Sequence, residues 1–300
     1  MRPDLNKLGR AVLVADGAWS TQLRARGFPD DQPLAELANL THAHLVETLA
    51  NEYLDAGARI LTTNTFSAGR FAFERLGLEQ DPADVCRAGA ALACKSAEGR
   101  GALVAGVIGP SGSMLKLDET PQDELAAAFA DAARALCDGG VGALVLETFT
   151  ELDEILLAID AVTGAVDLPL IASMCFELGP QHTRTQLGAE AAEVADALSN
   201  SGAAVLGCNC GVGIDSILPS VVALRAHSDL PIWVKPSAGL PELHDGAPVY
   251  RQSPDDFDDP VPTLLEAGVS IIGGCCGTGP EHIRRLAAIV KSWNRKARVR

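Results

Sequence analysis

The chain has 300 residues, 47% of them hydrophobic, which is enough for one large core or two small ones. Lys and Arg number 24 against 39 Asp and Glu, a formal charge of −15. A surface this acidic repels phosphate backbones and anionic lipid, so neither nucleic acid nor a membrane surface is expected as a partner.

Met1 to Arg10 is polar, and the apolar run Ala11–Ala15 is too short for a signal core or a membrane span, so a cytoplasmic location is expected. That run is the first of eight short stretches rich in Val, Ile, Leu and Ala. The others are Arg59–Thr63, Ala102–Ile108, Ala143–Glu147, Leu168–Met174, Ala203–Cys208, Pro231–Lys235 and Val269–Gly273. Near-continuous apolar runs of this length read as buried parallel strands. Between them lie segments with helical spacing. Ala43–Ala56 carries Leu45, Leu49 and Leu54, Glu124–Cys137 carries Leu125, Phe129 and Leu136, and Glu151–Val162 carries Leu152, Ile155, Leu156 and Ile159. Thr41 can cap the first of these helices, Pro82 and Pro121 can sit in first turns, and Gly57, Gly99, Gly139, Gly202 and Gly268 follow helix ends.

Repeated helix–Gly–strand units with short links mean parallel strands joined by crossovers. Eight βα units in this length predict an α/β chain folded as a (β/α)8 TIM barrel, a single domain over residues 1–300. An open doubly wound sheet is the alternative, weakened by the lack of a G-x-G-x-x-G after the first strand. Leu240–Pro262, rich in Asp and Pro, reads as a long surface loop after the seventh strand. The basic stretch Lys291–Arg300 reads as a solvated helix end and tail.

A barrel builds its active site from the loops after its strands. Those positions hold Asp16-Gly17-Ala18, Thr63-Asn64-Thr65-Phe66, Gly109-Pro110-Ser111-Gly112, Glu147-Thr148-Phe149, Cys208-Asn209-Cys210, Lys235-Pro236-Ser237 and Gly274-Cys275-Cys276-Gly277. In a reducing compartment the eight cysteines are expected as free thiols or metal ligands. Strands six and eight of a barrel are separated only by strand seven, so three thiols from these loops can reach one metal. Zinc prefers thiolates, and a catalytic zinc keeps three protein ligands. Alternation gives Cys208 and Cys210 the same orientation and does not choose between them; position nearer the rim favours Cys210. Cys86, Cys94, Cys137 and Cys175 read as packing residues. A redox role for the adjacent pair is disfavoured, because neighbouring cysteines form only a strained disulfide.

Seven stretches carry a resemblance: DGAWSTQL at Asp16–Leu23, TTNTF at Thr62–Phe66, VIGPSG at Val107–Gly112, LETF at Leu146–Phe149, GCNCGVG at Gly207–Gly213, KPSAGLP at Lys235–Pro241 and GGCCGTGPEHI at Gly273–Ile283. With these the chain resembles the homocysteine S-methyltransferase family. In look it is closest to the homocysteine-binding module of cobalamin-dependent methionine synthase. The resemblance implies a barrel with zinc on three cysteines, here Cys210, Cys275 and Cys276. The family pattern G-x-N-C selects Cys210 and leaves Cys208 to packing. It also implies that Asp16 and Glu147 hold the ammonium group of homocysteine. Two carboxylates suit that task through charge-assisted hydrogen bonds. The substrate carboxylate would meet backbone N–H groups near Gly17 and Ala18. Asn64 and Asn209 either steady loops or donate to substrate. His282, in the turn that starts the last helix, reads as structural.

The implied reaction moves a methyl group to the homocysteine thiol, giving methionine. Zinc would replace the thiol proton and so keep the sulfur nucleophilic. Betaine-using relatives surround their donor with aromatic rings, at positions that fall here on Leu34, Ser67 and Thr148. S-methylmethionine-using relatives carry a Trp near Gln32–Ala35 that this chain lacks. The resemblance to the methionine synthase module implies methylcobalamin, free or on a separate corrinoid protein, as the donor, with an S-methylmethionine- or betaine-type donor as the alternative. Trp19 and Ser237 depart from the family pattern at the substrate rim, which leaves another small thiol possible. Two other classes remain: a non-catalytic barrel with a structural zinc closed by a fourth ligand, and an aldolase-like barrel using Lys235 as a Schiff-base lysine.

Overall fold

The computed structural model describes all residues except 1, 2, 6, 7, 9, 10, 114, 116–119, 245, 246 and 298–300, so the end of the basic C-terminal stretch lies outside the described residues. Ten strands are present among the described residues: β1 (Leu13–Val14), β2 (Ile60–Thr62), β3 (Leu103–Ile108), β4 (Ala143–Phe149), β5 (Leu170–Met174), β6 (Val205–Cys210), β7 (Ile232–Pro236), β8 (Glu242–His244), β9 (Ala247–Val249) and β10 (Val269–Ile272). Strands β1 to β7 and β10 form one parallel sheet in the order β1-β10-β7-β6-β5-β4-β3-β2. The parallel bridge Ala15–Ile60 brings its two ends together, and the Asp16 N–H donates to the Ile60 carbonyl at 3.1 Å. This is the expected (β/α)8 barrel, with every expected strand run overlapping a barrel strand.

Alternation along each strand divides the apolar residues into two sets. Ala105, Val107, Val145, Ile171, Val205, Trp233 and Ile271 form a cluster inside the barrel. Val104, Leu144, Leu146, Leu206, Val234 and Ile272 pack outward in the larger cluster shared with the helices. Trp233 fills the interior, fully buried, and Gly207 opposite it is required by closeness. A Cβ at Gly207 would stand 2.3 Å from the Trp233 carbonyl oxygen.

The helices follow the predicted spacing: Ala43–Ala56, Gln122–Asp138 and Leu152–Ala165 each bury their periodic apolar face. Punctuation differs at two points. Thr41 closes the short preceding helix, its hydroxyl bonded to the Leu37 carbonyl, and His42 is the cap residue of Ala43–Ala56. Pro121 is itself the cap residue of Gln122–Asp138, whereas Pro82 does occupy a first turn, behind Asp81.

The region read as a surface loop is organised. Strands β8 and β9 make an antiparallel hairpin there, followed by a 3-10 turn at Pro254–Phe257 and the helix Pro260–Glu266. Ser253 and Asp256 form a reciprocal capping box, and Phe257 is fully buried, edge-on to His282 at 5.3 Å. A density of Asp and Pro that reads as loop composition thus also serves as helix-start chemistry. No helix among the described residues is long and apolar enough to cross a membrane.

Candidate metal centre and acceptor pocket

Three loops at the C-terminal rim are stitched together by backbone hydrogen bonds. Ser237 N–H donates to the Cys210 carbonyl at 3.2 Å, Cys275 N–H to Pro236 at 2.8 Å and Ala238 N–H to Cys276 at 2.9 Å. The ends of β6, β7 and β10 are thereby fixed relative to one another, and three sulfurs converge. Sγ of Cys210 lies 2.9 Å from that of Cys275 and 3.9 Å from that of Cys276, and Cys275 and Cys276 are 4.0 Å apart. Thiolates at about 2.3 Å from a tetrahedral zinc are separated by about 3.8 Å. Two of the three spacings match, and the donor set is the one zinc prefers, so the residues fit the metal that the sequence implies.

Cys210 has φ 60°. A left-handed non-glycine residue is uncommon and marks a functional or strained position. This turn is what separates Cys210 from Cys208. Cys208 stays in the wall of the barrel, 1% exposed, its thiol pushed up to about 12 by burial. Among the triad, Cys276 is held low, to about 3, because Cys210 and Cys275 donate hydrogen bonds to it, with a third from the Tyr250 hydroxyl. Cys210 is pushed well above its ordinary value, first as donor to its two neighbours and then by burial. The cluster therefore gathers negative charge on one sulfur and shares it. Among the described residues no fourth His, Cys, Asp or Glu joins the group.

Tyr250 comes from the segment after the hairpin. Its ring lies against Gly277, which has φ 78°, and a Cβ there would fall 2.2 Å from the Tyr250 ring. His282 Nε2 bonds the Gln252 carbonyl at 3.0 Å while its Nδ1 accepts from Gly279 N–H at 3.2 Å. His282 is thus structural, as expected, and what it secures is the stretch carrying Tyr250. Sequence reasoning missed Tyr250, which sits in an unremarkable PVYRQ stretch.

Beside the sulfurs is a cavity of about 470 Å³ lined by Gly17, Trp19, Glu147, Lys235 and the three cysteines, among others. Glu147 stands next to a bulge in β4, where Thr148 has φ 62°. The irregularity leaves Phe149 buried against Phe129 at 5.9 Å and Glu147 at the cavity. Oε1 of Glu147 is buried without a hydrogen-bond partner, its nearest cation being Lys235 Nζ at 3.5 Å. Burial raises this carboxyl to about 7, against the lowering effect of Lys235.

Asp16 is placed differently. It is fully buried, and it does not line the cavity. Oδ1 accepts from Lys235 Nζ at 3.0 Å and from the Thr62 hydroxyl at 3.0 Å; Oδ2 accepts from Thr62 N–H at 2.7 Å, from that same hydroxyl at 2.8 Å and from the Trp19 indole N–H at 3.2 Å. Gly17 and Ala18 do line the cavity, but the Ala18 N–H is directed to the Thr278 carbonyl at 3.3 Å.

Both asparagine side chains bond to neighbouring loops, and Asn64 also lines the cavity. Asn64 donates to the Ala35 carbonyl at 2.9 Å and to Asn39 Oδ1 at 3.1 Å. Asn209 accepts from Thr148 N–H at 3.0 Å and from the Ser173 hydroxyl at 2.6 Å, and donates to the Thr148 hydroxyl at 2.6 Å. It also approaches Cys275 Sγ at 3.8 Å. One amide therefore ties the Glu147 bulge to the sulfur cluster. Leu34, Ser67 and Thr148 all line the cavity, so the positions expected to carry rings in betaine-using relatives face it without rings; its aromatic walls are Trp19 and Phe66.

Comparison with known proteins agrees with this picture. A profile of the family described as homocysteine S-methyltransferase matches residues 13–290. The chain is 30% identical to methionine synthase of Mycobacterium tuberculosis over 311 positions, covering 98% of this chain and 26% of the relative. It is 29% identical to methionine synthase of Mycobacterium leprae, covering 97% and 25%. It thus spans about a quarter of the length of these curated relatives. The metallated form of the homocysteine methyltransferase MmuM from Escherichia coli superposes with a TM-score of 0.77 at 26% identity, over 93% of this chain and 96% of that one.

Proposed function

The chain belongs to the homocysteine S-methyltransferase family, and from that premise we propose that it transfers a methyl group to the thiol of homocysteine, giving methionine. The observation that carries the reading is the convergence of three cysteine sulfurs beside a cavity that is also lined by the Glu147 carboxyl. A thiolate cluster suits a zinc-assisted sulfur nucleophile, and the carboxylate suits an amino acid's ammonium group.

Cys210, Cys275 and Cys276 would hold zinc. When bound, zinc takes the place of the acceptor thiol's proton and so keeps the sulfur nucleophilic at neutral pH. Glu147 binds the ammonium group of the acceptor and aims its thiol at the sulfur cluster. Asn209 holds Thr148 and Cys275 in register so that the two ends of the acceptor are met at a fixed separation. Trp19 and Phe66 wall the cavity and exclude water from the reacting sulfur.

The methyl donor is methylcobalamin, free or carried by a separate corrinoid protein. This is supported by the methionine synthase relatives and by the ring-free positions Leu34, Ser67 and Thr148. A structural-zinc role is opposed by the lack of a fourth His, Cys, Asp or Glu at the cluster among the described residues. The Schiff-base alternative asks for an uncharged lysine. Burial would lower the Lys235 amine, but Asp16 and Glu147 more than reverse that, so it stays an ammonium.

The test is the visible spectrum of methylcobalamin mixed with zinc-loaded protein and homocysteine. Loss of the methylcobalamin band, absent with Cys210→Ser, is the expected result. An unchanged band together with methionine formed from S-methylmethionine or betaine would replace the donor assignment. No methionine from any of the three donors would overturn the activity.

A further inference from the structure

Asp16 and Glu147 are expected to share one task, yet the structure gives them different surroundings. A carboxylate has about four lone-pair sites. Lys235, Thr62 and Trp19 direct their donors to both oxygens of Asp16, and none of that carboxylate faces the cavity. Glu147 lines the cavity; its buried Oε1 makes no hydrogen bond and faces Lys235, and no hydrogen bond engages its other oxygen among the described residues. Between the two stands Lys235, its side chain 3% exposed, with its Nζ 3.0 Å from Asp16 and 3.5 Å from Glu147. Lys235 is on the inward face of β7 with Trp233, and its ammonium lies 5.5 Å from the centre of that indole.

We propose that Lys235 is a positioning residue of the acceptor pocket: Asp16 holds the Lys235 ammonium, Lys235 holds Glu147, and Glu147 alone receives the ammonium group of the acceptor. The inference rests on the acceptor reading given above. Two carboxylates and one ammonium leave a single net negative charge, which is what one amino acid ammonium neutralises. Without Lys235 the two acids would repel, and desolvation would favour protonating one of them. With Oε1 turned to Lys235, Glu147 has a fixed place and its other oxygen is left for the ligand. The Trp19 indole N–H, shared between Thr62 Oγ1 at 3.0 Å and Asp16 Oδ2 at 3.2 Å, also takes up acceptor capacity on Asp16. Asp16 therefore acts on the acceptor through Lys235 and not by contact.

The experiment is a double-mutant cycle on the zinc-loaded protein with Asp16→Asn, Lys235→Met and the double variant. It reads the calorimetric Kd of methionine, which has the ammonium but no ionisable thiol, and kcat and KM for homocysteine. Each single variant is expected to raise the methionine Kd and the homocysteine KM about tenfold or more, with kcat at saturation changed less than about threefold. The double variant is expected to match the worse single variant within about twofold, because both remove one chain of contacts. Effects that multiply in the double variant, or a Lys235→Met protein that binds like wild type, would overturn the proposal.

Should the Lys235 variant fail to fold, a crystal structure of the methionine complex decides. An ammonium within about 3.2 Å of Glu147, with the Asp16–Lys235 contact kept, supports the inference. An ammonium at that distance from Asp16 sinks it. A wild-type protein that binds neither amino acid would instead defeat the acceptor reading. The contact is then judged from melting temperatures of the same four proteins without ligand, where non-additive losses support it and additive losses overturn it.

Discussion

On the proposed reading, Glu147 should set the pH response of the acceptor pocket. Its carboxyl is raised to about 7 mainly by burial, with Lys235 opposing the shift and Cys275 and Asp16 adding to it. It must be ionised to hold an ammonium group, so affinity should fall as pH drops below about 7. Calorimetry with methionine between pH 5.5 and 8.5 isolates this effect, approaching a tenfold weakening per pH unit on the acid side. Glu147→Gln should bind weakly and show a flat profile; a wild-type profile that is flat would remove Glu147 from the ammonium site. Asn209 offers a second test at this scale. Its amide joins Thr148, Ser173 and the neighbourhood of Cys275. Asn209→Ala strands several buried groups and should cost about 1–3 kcal/mol in urea unfolding. Zinc affinity, read by chelator competition, should fall about 10–100-fold, as for other residues that orient metal ligands. Of these residues the cysteines were legible in sequence because thiol spacing is a rare signal. The role of Asn209 was not, because an asparagine after a strand reads equally as turn or ligand until its partners from β4 and β5 are seen. Lys235 was visible at a strand end, but its partners, 219 positions away in the case of Asp16, were not.

Among the elements, the barrel strands were read well and the hairpin region poorly. A buried strand leaves a run of Val, Ile and Leu, whereas β8 and β9 are short and bracketed by Asp and Pro, with β8 exposed throughout. What orders the Tyr250–Phe257 stretch is tertiary: His282 bonding Gln252, Gln252 bonding Ile214 N–H at 3.1 Å, and Phe257 buried against the last helix. Gly277→Ala tests that docking. The substitution meets both a positive φ and the Tyr250 ring, so the segment must shift. Hydrogen exchange over residues 247–257 should accelerate, and the protein should lose about 1 kcal/mol or more. Exchange that stays at the wild-type rate would mean that this segment is held independently of Gly277.

The whole molecule places its chemistry by closing a barrel. The three ligand loops are joined by backbone hydrogen bonds and the interior is filled by apolar side chains, so the fold does not depend on metal to close. Chelation should therefore leave the far-ultraviolet circular dichroism unchanged. Zinc at a hundred times its Kd should add about 2.7 kcal/mol by mass action, raising Tm by several degrees. A collapse of secondary structure on chelation would show instead that the metal is part of the folding core. The sequence by itself determined the barrel, through the alternation of apolar runs and amphipathic helices, and pointed to the sulfur ligands, through their rarity at strand ends. These are local signals, carried by residues close together in the chain. Only the tertiary structure decided which acid faces the cavity, how Cys210 turns toward the other two sulfurs while Cys208 stays in the wall, and which segment covers the cluster. Each of those depends on partners brought together by closure of the barrel and on two left-handed residues, Thr148 and Cys210, whose conformation no local pattern announces.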